Sequence, residues 1–123
     1  MADHNDFGKL AEELAESFLV EKNYKILVKN YRYLKAEVDI IAQFENQLVI
    51  VEVKARATDA FMLPQEAINK KKIRLIVSAA NEFLETNNIE LETRFDVISV
   101  LPNEKGKLEI THSENAFYAF DAN

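Results

Sequence analysis

An α/β fold in the order αβββαββ is predicted by three observations. Apolar residues recur at helical spacing in two separate stretches, one at the N-terminus and one past the middle of the chain. Runs rich in β-branched and aromatic residues lie between and after them. Short polar breaks, rather than long linkers, separate these runs.

The first helix spans Phe7 to about Lys22, because Phe7, Leu10, Ala11, Leu14, Ala15, Phe18 and Leu19 fall on one face, with Asp6 as a plausible N-cap. Three strands follow as a meander: Tyr24 to Tyr33, Lys35 to Phe44, and Gln47 to Arg56. The third holds the strongest strand signal, Leu48-Val49-Ile50-Val51-Glu52-Val53. A second helix is expected from Pro64, which suits a first-turn position, to Thr86. Strands over Arg94 to Leu101 and Lys107 to His112 complete the order. With two Gly, two Pro and no repeat or low-complexity tract, residues 1–123 read as a single domain.

Forty-eight per cent of the 123 residues are hydrophobic, enough for a core of its own. The chain has no Cys, so disulfides, thiolate metal sites and a thiol nucleophile are excluded, and oxygen and nitrogen groups must carry any chemistry. The polar N-terminus and the lack of an apolar run near ~20 residues lead to the expectation of a cytoplasmic protein with no membrane partner. The net charge of −6 argues globally against a polyanionic partner, but it is unevenly spread. Residues 53–80 carry Lys54, Arg56, Lys70, Lys71, Lys72 and Arg74 against Asp59 and Glu66. Such a segment can hold phosphates, or form an ordinary solvated helix face.

Phe44-Glu45-Asn46-Gln47 predicts a hairpin loop of two or four residues, and either length gives one register, in which residue i faces residue 91 − i. Val38, Ile40 and Ala42 then oppose Val53, Val51 and Val49 on one apolar face. On the other face Asp39 opposes Glu52, and Glu37 opposes Lys54. Like charges directly across a hairpin destabilise it. A divalent cation such as Mg²⁺ or Mn²⁺ resolves that conflict, since carboxylates and phosphate oxygens are its hard ligands. A ladder in which Lys54 and Arg56 neutralise the acids resolves it too. The cation reading predicts a metal-free protein that loses no stability when Asp39 is truncated.

Asp39 followed by Glu52-Val53-Lys54 resembles the D...(E/D)-x-K signature of the PD-(D/E)XK nuclease superfamily. The chain also carries Gly8-x-x-Ala11-Glu12-x-x-Ala15, Asn30-Tyr31-Arg32, Ala36-Glu37-Val38-Asp39-Ile40-Ile41, Val51-Glu52-Val53-Lys54-Ala55-Arg56, Glu66-Ala67-Ile68 with Lys72, Arg94-Phe95-Asp96-Val97, and Glu114-Asn115-Ala116-Phe117. In this order they resemble the bacterial YraN family, which is similar to archaeal Holliday junction resolvases. Ala36 and Ala11 stand where the family usually has Gly. The resemblance implies a restriction-endonuclease-like fold, a mixed central sheet flanked by helices with an acidic site at one sheet end. It further implies that Asp39, Glu52, the Val53 carbonyl and Glu12 hold the metal, with Lys54 orienting or deprotonating the attacking water.

Arg56, Lys71, Lys72 and Arg32 are the candidate nucleic-acid contacts. Lys72 is singled out because it falls within the apolar stripe of Ile68, Leu75, Ile76, Ala79 and Phe83, so that it points toward the sheet. Tyr31 and Tyr33 are expected in sheet packing, His112 in a structural hydrogen bond, and Phe117, Tyr118 and Phe120 in a docked tail. The expected function is Mg²⁺- or Mn²⁺-dependent hydrolysis of phosphodiesters in DNA, including branched or damaged DNA. The alternatives are a non-catalytic nucleic-acid-binding module of a DNA-processing complex and a protein-interaction subunit. Cutting two strands requires a two-fold dimer, which leaves a homodimer and a protein partner both open.

Overall fold

The computed structural model describes residues 4–56 and 68–123. Helix α1 (His4–Glu21) precedes strands β1 (Lys25–Tyr33), β2 (Ala36–Phe44) and β3 (Gln47–Ala55); helix α2 (Lys70–Thr86) precedes β4 (Glu92–Pro102) and β5 (Leu108–Phe117), and a 3₁₀ turn follows at Ala119–Ala122. The strands form one sheet in the order β1-β2-β3-β4-β5. Its β3–β4 pair is parallel and the rest are antiparallel, so the sheet is mixed and the fold is α/β and restriction-endonuclease-like in the predicted order.

Each face of the sheet carries its own core. Ala11, Ala15 and Leu19 of α1 pack on Ile40, Ala42, Val49, Val51, Ile98 and Val100. Ile73, Ile76, Ala79, Ala80 and Phe83 of α2 pack on Ile41, Leu48, Ile50, Phe95 and Val97. The central strand β3 is buried on both sides, which is why it reads as an unbroken apolar run. Tyr31 packs edge-on against Phe83 at 5.2 Å, as expected for a sheet aromatic.

Several boundaries differ from expectation. The first helix begins at His4, which places Asp6 inside its first turn rather than at the cap, and Leu10 is exposed. Pro64 lies outside the described residues, but Ile68 and Asn69 are not helical. Helix α2 starts at Lys70 because Asn69 caps it, accepting from the Lys72 amide at 2.8 Å. Strand β5 runs on past His112 to Phe117, whose ring stacks on Phe95 at 5.2 Å. Tyr118 and Phe120 stack on each other but stay exposed.

The hairpin register holds from Phe44↔Gln47 to Ile40↔Val51 and then stops. Its loop is the two-residue version, Glu45-Asn46, with Glu45 at φ 53°. Past Ile40 the expected pairs do not form. Asp39 is not a registered partner of Glu52, and Glu37 faces Arg32 of β1 instead of Lys54. Val38 accordingly packs with the α2 core, while Ile40 packs with the α1 core, so the alternation of β2 is broken between them.

Candidate metal and nucleic-acid site

The break in the ladder creates the site. At the end of the β2–β3 pairing the Val53 amide donates to Asp39 Oδ2 at 2.7 Å, so a carboxylate occupies the place of a strand carbonyl. Glu52, one residue earlier, faces α2, where its Oε2 lies 3.0 Å from Lys72 Nζ. Lys35, Glu37, Asp39, Glu52, Val53, Asn69, Lys71, Lys72, Leu75 and Ile76 line one cavity of about 430 Å³. Both acids of the predicted signature therefore open into the same space, although they do not meet across a hairpin pair.

Glu52 is only 3% exposed, and its Oε1 has no hydrogen-bond partner. A buried carboxylate oxygen left unpaired costs about 1–3 kcal/mol. Burial, and then the charge of Asp39, push the Glu52 carboxyl up to about 7. Asp39 is raised as well, by burial, against the opposing pull of the Val53 amide and of Lys72 and Lys54. Lys54 is pushed down to about 8 by burial and by the neighbouring Lys72 ammonium. Burial pulls Lys72 down, but Glu52 and its other neighbours outweigh that and leave it raised.

The remaining candidates divide. Lys71 lines the cavity and is exposed. Glu12 does not line it; burial raises its carboxyl first and the charges of Asp39 and Glu37 next, which places it within electrostatic reach of Asp39. Among the described residues, no group of three or more His, Asp or Glu side chains converges as a metal cage. Arg32 is turned to Glu37, 2.8 Å away, on the exposed outer strand. The Arg56 amide donates to the Val100 carbonyl at 3.1 Å just past β3, and Arg56 is not part of the cavity wall.

Helix α2 brings its first turn to this cavity with Lys70, Lys71 and Lys72 in sequence and no acid among them. Cations at a helix N-terminus oppose the macrodipole, so this end concentrates positive potential that an anion must offset. Glu52 offsets one charge through Lys72.

A second polar cluster was not anticipated. Arg94, 5% exposed, donates through Nε (3.0 Å) and Nη2 (2.8 Å) to Asp96, and through Nη2 to the Tyr24 hydroxyl. His112 Nε2 lies 2.7 Å from Asp96 Oδ2, and the Asn115 amide donates to Oδ1 at 3.1 Å. These residues sit on the α1 side of β4, every one of these contacts is satisfied, and the cluster holds β5 to the sheet. The only signal in the sequence was the Arg94-Phe95-Asp96-Val97 string and an isolated His112.

A family model described as "Uncharacterised protein family UPF0102" matches residues 11–100, a span containing Glu12, Asp39, Glu52, Lys54 and Lys72. The chain belongs to the UPF0102 family. A UPF0102 protein of Flavobacterium psychrophilum is 50% identical over 120 residues, covering 98% of this chain and 100% of its own. UPF0102 proteins of Christiangramia forsetii and Phocaeicola vulgatus are 46% and 41% identical, covering 98% and 96% of this chain and 100% and 97% of theirs. The solved "Crystal structure of SSO0001" matches 98% of this UPF0102 chain, which spans 56% of that one, with 14% identity and a TM-score of 0.49. No described helix is long and apolar enough to cross a membrane.

Proposed function

We propose that this UPF0102 protein is a metal-dependent nuclease that hydrolyses phosphodiester bonds in DNA. The observation that carries the reading is the buried Oε1 of Glu52, which has no hydrogen-bond partner, on a residue that lines the same cavity as Asp39. A buried carboxylate with an unpaired oxygen and a half-buried one beside it, both with raised values, are a donor set that suits a hard divalent cation, Mg²⁺ or Mn²⁺. Asp39 and Glu52 would hold it; the Val53 carbonyl and Glu12 are the further donors that the family resemblance suggests.

When bound, such a cation supplies Lewis-acid polarisation of the phosphoryl group. The chain's own residues do the rest. Lys54 is not among the residues that line the cavity, but it follows Glu52 by two positions and burial lowers it to about 8, so it would serve the activation of an attacking water from beside the acids. Lys71, Lys72 and the N-terminal turn of α2 take the phosphate. Lys71 stays exposed on the rim, where it meets the nucleic acid first.

A non-catalytic nucleic-acid-binding module is favoured by one observation, that Lys72 already neutralises Glu52 without a metal. Incubating the protein with branched, single-stranded and duplex DNA in Mg²⁺ or Mn²⁺ separates the two. Cleavage by the wild type that disappears in Asp39→Asn supports the nuclease; binding without cleavage across the whole panel leaves the module.

A further inference from the structure

Lys72 stands where a cation and a phosphate would both have a claim. Its ammonium is 3.0 Å from Glu52 Oε2, on the buried side of the cavity, while 39% of its side chain remains exposed on the other. Its backbone is fixed, because the Lys72 amide is held by the Asn69 cap at 2.8 Å. The side chain above that anchor has four rotatable bonds and can change partner without moving the helix. It is also crowded by Lys54, whose ammonium is disfavoured by Lys72.

We propose that Lys72 is a resident counter-cation that exchanges Glu52 for a phosphate of the nucleic acid, so that phosphate and divalent cation bind with positive coupling. The proposal rests on the nuclease reading above. Without nucleic acid, Glu52 is neutralised from within, and a divalent cation must displace an ammonium of its own sign to reach Oε2. A phosphate entering from the exposed side offers Lys72 a charge-assisted partner of equal kind. Once Lys72 has turned to it, Glu52 Oε2 is released from its salt bridge, while Oε1 already has no hydrogen-bond partner. By linkage the cation must strengthen phosphate binding by the same factor.

The measurements need no turnover. Mn²⁺ affinity is taken by calorimetry without DNA, and the affinity of a short fluorescein-labelled duplex by anisotropy with and without Ca²⁺. Lys72→Met should bind Mn²⁺ about tenfold more tightly than wild type, and the gain in duplex affinity that Ca²⁺ gives wild type should shrink toward unity. If Lys72→Met melts below the assay temperature, Lys72→Gln carries the same expectation. Equal Mn²⁺ affinity in wild type and variant overturns the exchange, and so does an unchanged Ca²⁺ gain. Glu52→Gln distinguishes the two levels: if it binds Mn²⁺ as wild type does, or if no form binds it, the metal site itself is wrong. If it abolishes Mn²⁺ binding while Lys72→Met changes nothing, the site stands and the exchange alone falls.

Discussion

The Val53 amide donates to Asp39 Oδ2 at 2.7 Å, where Asp39 is one residue and Val53 two residues past the last registered pair of the β2–β3 ladder, Ile40↔Val51. Asp39 is therefore both a member of a repelling acid pair and the acceptor that closes the end of a strand. Truncation removes both roles at once.

That dual role splits the effect of substitution. In metal-free protein Asp39→Asn keeps an acceptor for Val53 and removes a charge beside Glu52, so its stability should equal or exceed that of wild type. Asp39→Ala leaves the amide without its partner and should cost about 1 kcal/mol relative to Asp39→Asn. Urea denaturation in EDTA gives both values, and an Ala variant at least as stable as the Asn variant would show that the hydrogen bond contributes nothing.

Asn69 ties the helix cap to the site, since its side chain holds the Lys72 amide. Asn69→Ala should lower stability by about 1 kcal/mol, and Asn69→Asp should restore it. Because Lys71 and Lys72 sit in the turn that Asn69 closes, the Ala variant should also bind duplex DNA more weakly, measured by anisotropy at fixed salt. Loss of stability with DNA affinity intact would separate the cap from the binding surface.

Lys71 should act as a phosphate contact and nothing more. Lys71→Ala is expected to leave the melting temperature unchanged and to reduce the slope of log affinity against log salt by about 1. An unaltered slope would remove Lys71 from the interface.

Asp96 sets an acid limit on the fold. Burial raises its carboxyl, but the hydrogen bonds from His112 and Arg94 outweigh burial and hold it below the ordinary carboxylate value. A carboxyl lowered in the folded state contributes stability at pH above its unfolded value, and that contribution disappears as pH falls through the folded one. Asp96→Asn should therefore flatten the acid limb of a denaturation series run downward from pH 5. At neutral pH it should cost about 3 kcal/mol, because it takes the buried counter-charge from Arg94 and leaves only the exposed Glu114, 3.3 Å from Nη1. A variant as acid-sensitive as wild type would place the limiting carboxyl elsewhere.

The element order and the position of the hairpin were legible because Phe44-Glu45-Asn46-Gln47 and the apolar run of β3 are local signals, whereas both loop lengths gave one register and the two-residue form is seen only in the structure. Arithmetic on register then reached Ile40 correctly and failed at Asp39. Alternation is guaranteed only while the ladder continues, and there a side chain supplants a backbone acceptor. That is why Val38 lies on the unexpected face and Glu37 meets Arg32. Lys72 was legible as a polar residue inside an apolar stripe, and it does point at Glu52. The Arg94, Asp96, Tyr24 and His112 cluster was not, because it joins residues up to 88 positions apart, Tyr24 and His112, whose meeting depends on the parallel β3–β4 pairing and the run of β5.

Both acids of the site come from one hairpin, a contact of short sequence separation, whereas the lysine that quiets Glu52 comes from the helix connecting β3 to its parallel neighbour β4. Local hairpins close in microseconds, and parallel pairing across a crossover must first meet a larger loop entropy. A nascent or refolding chain thus passes through an interval in which β1, β2 and β3 can be paired while the Asp39 and Glu52 charges face water with no internal cation. Solvent water screens those charges in that interval, and docking of α2 is the step that takes over from it. The kinetic signature is a late, lysine-dependent phase: removal of the Lys72 charge should speed unfolding far more than it slows the formation of the meander.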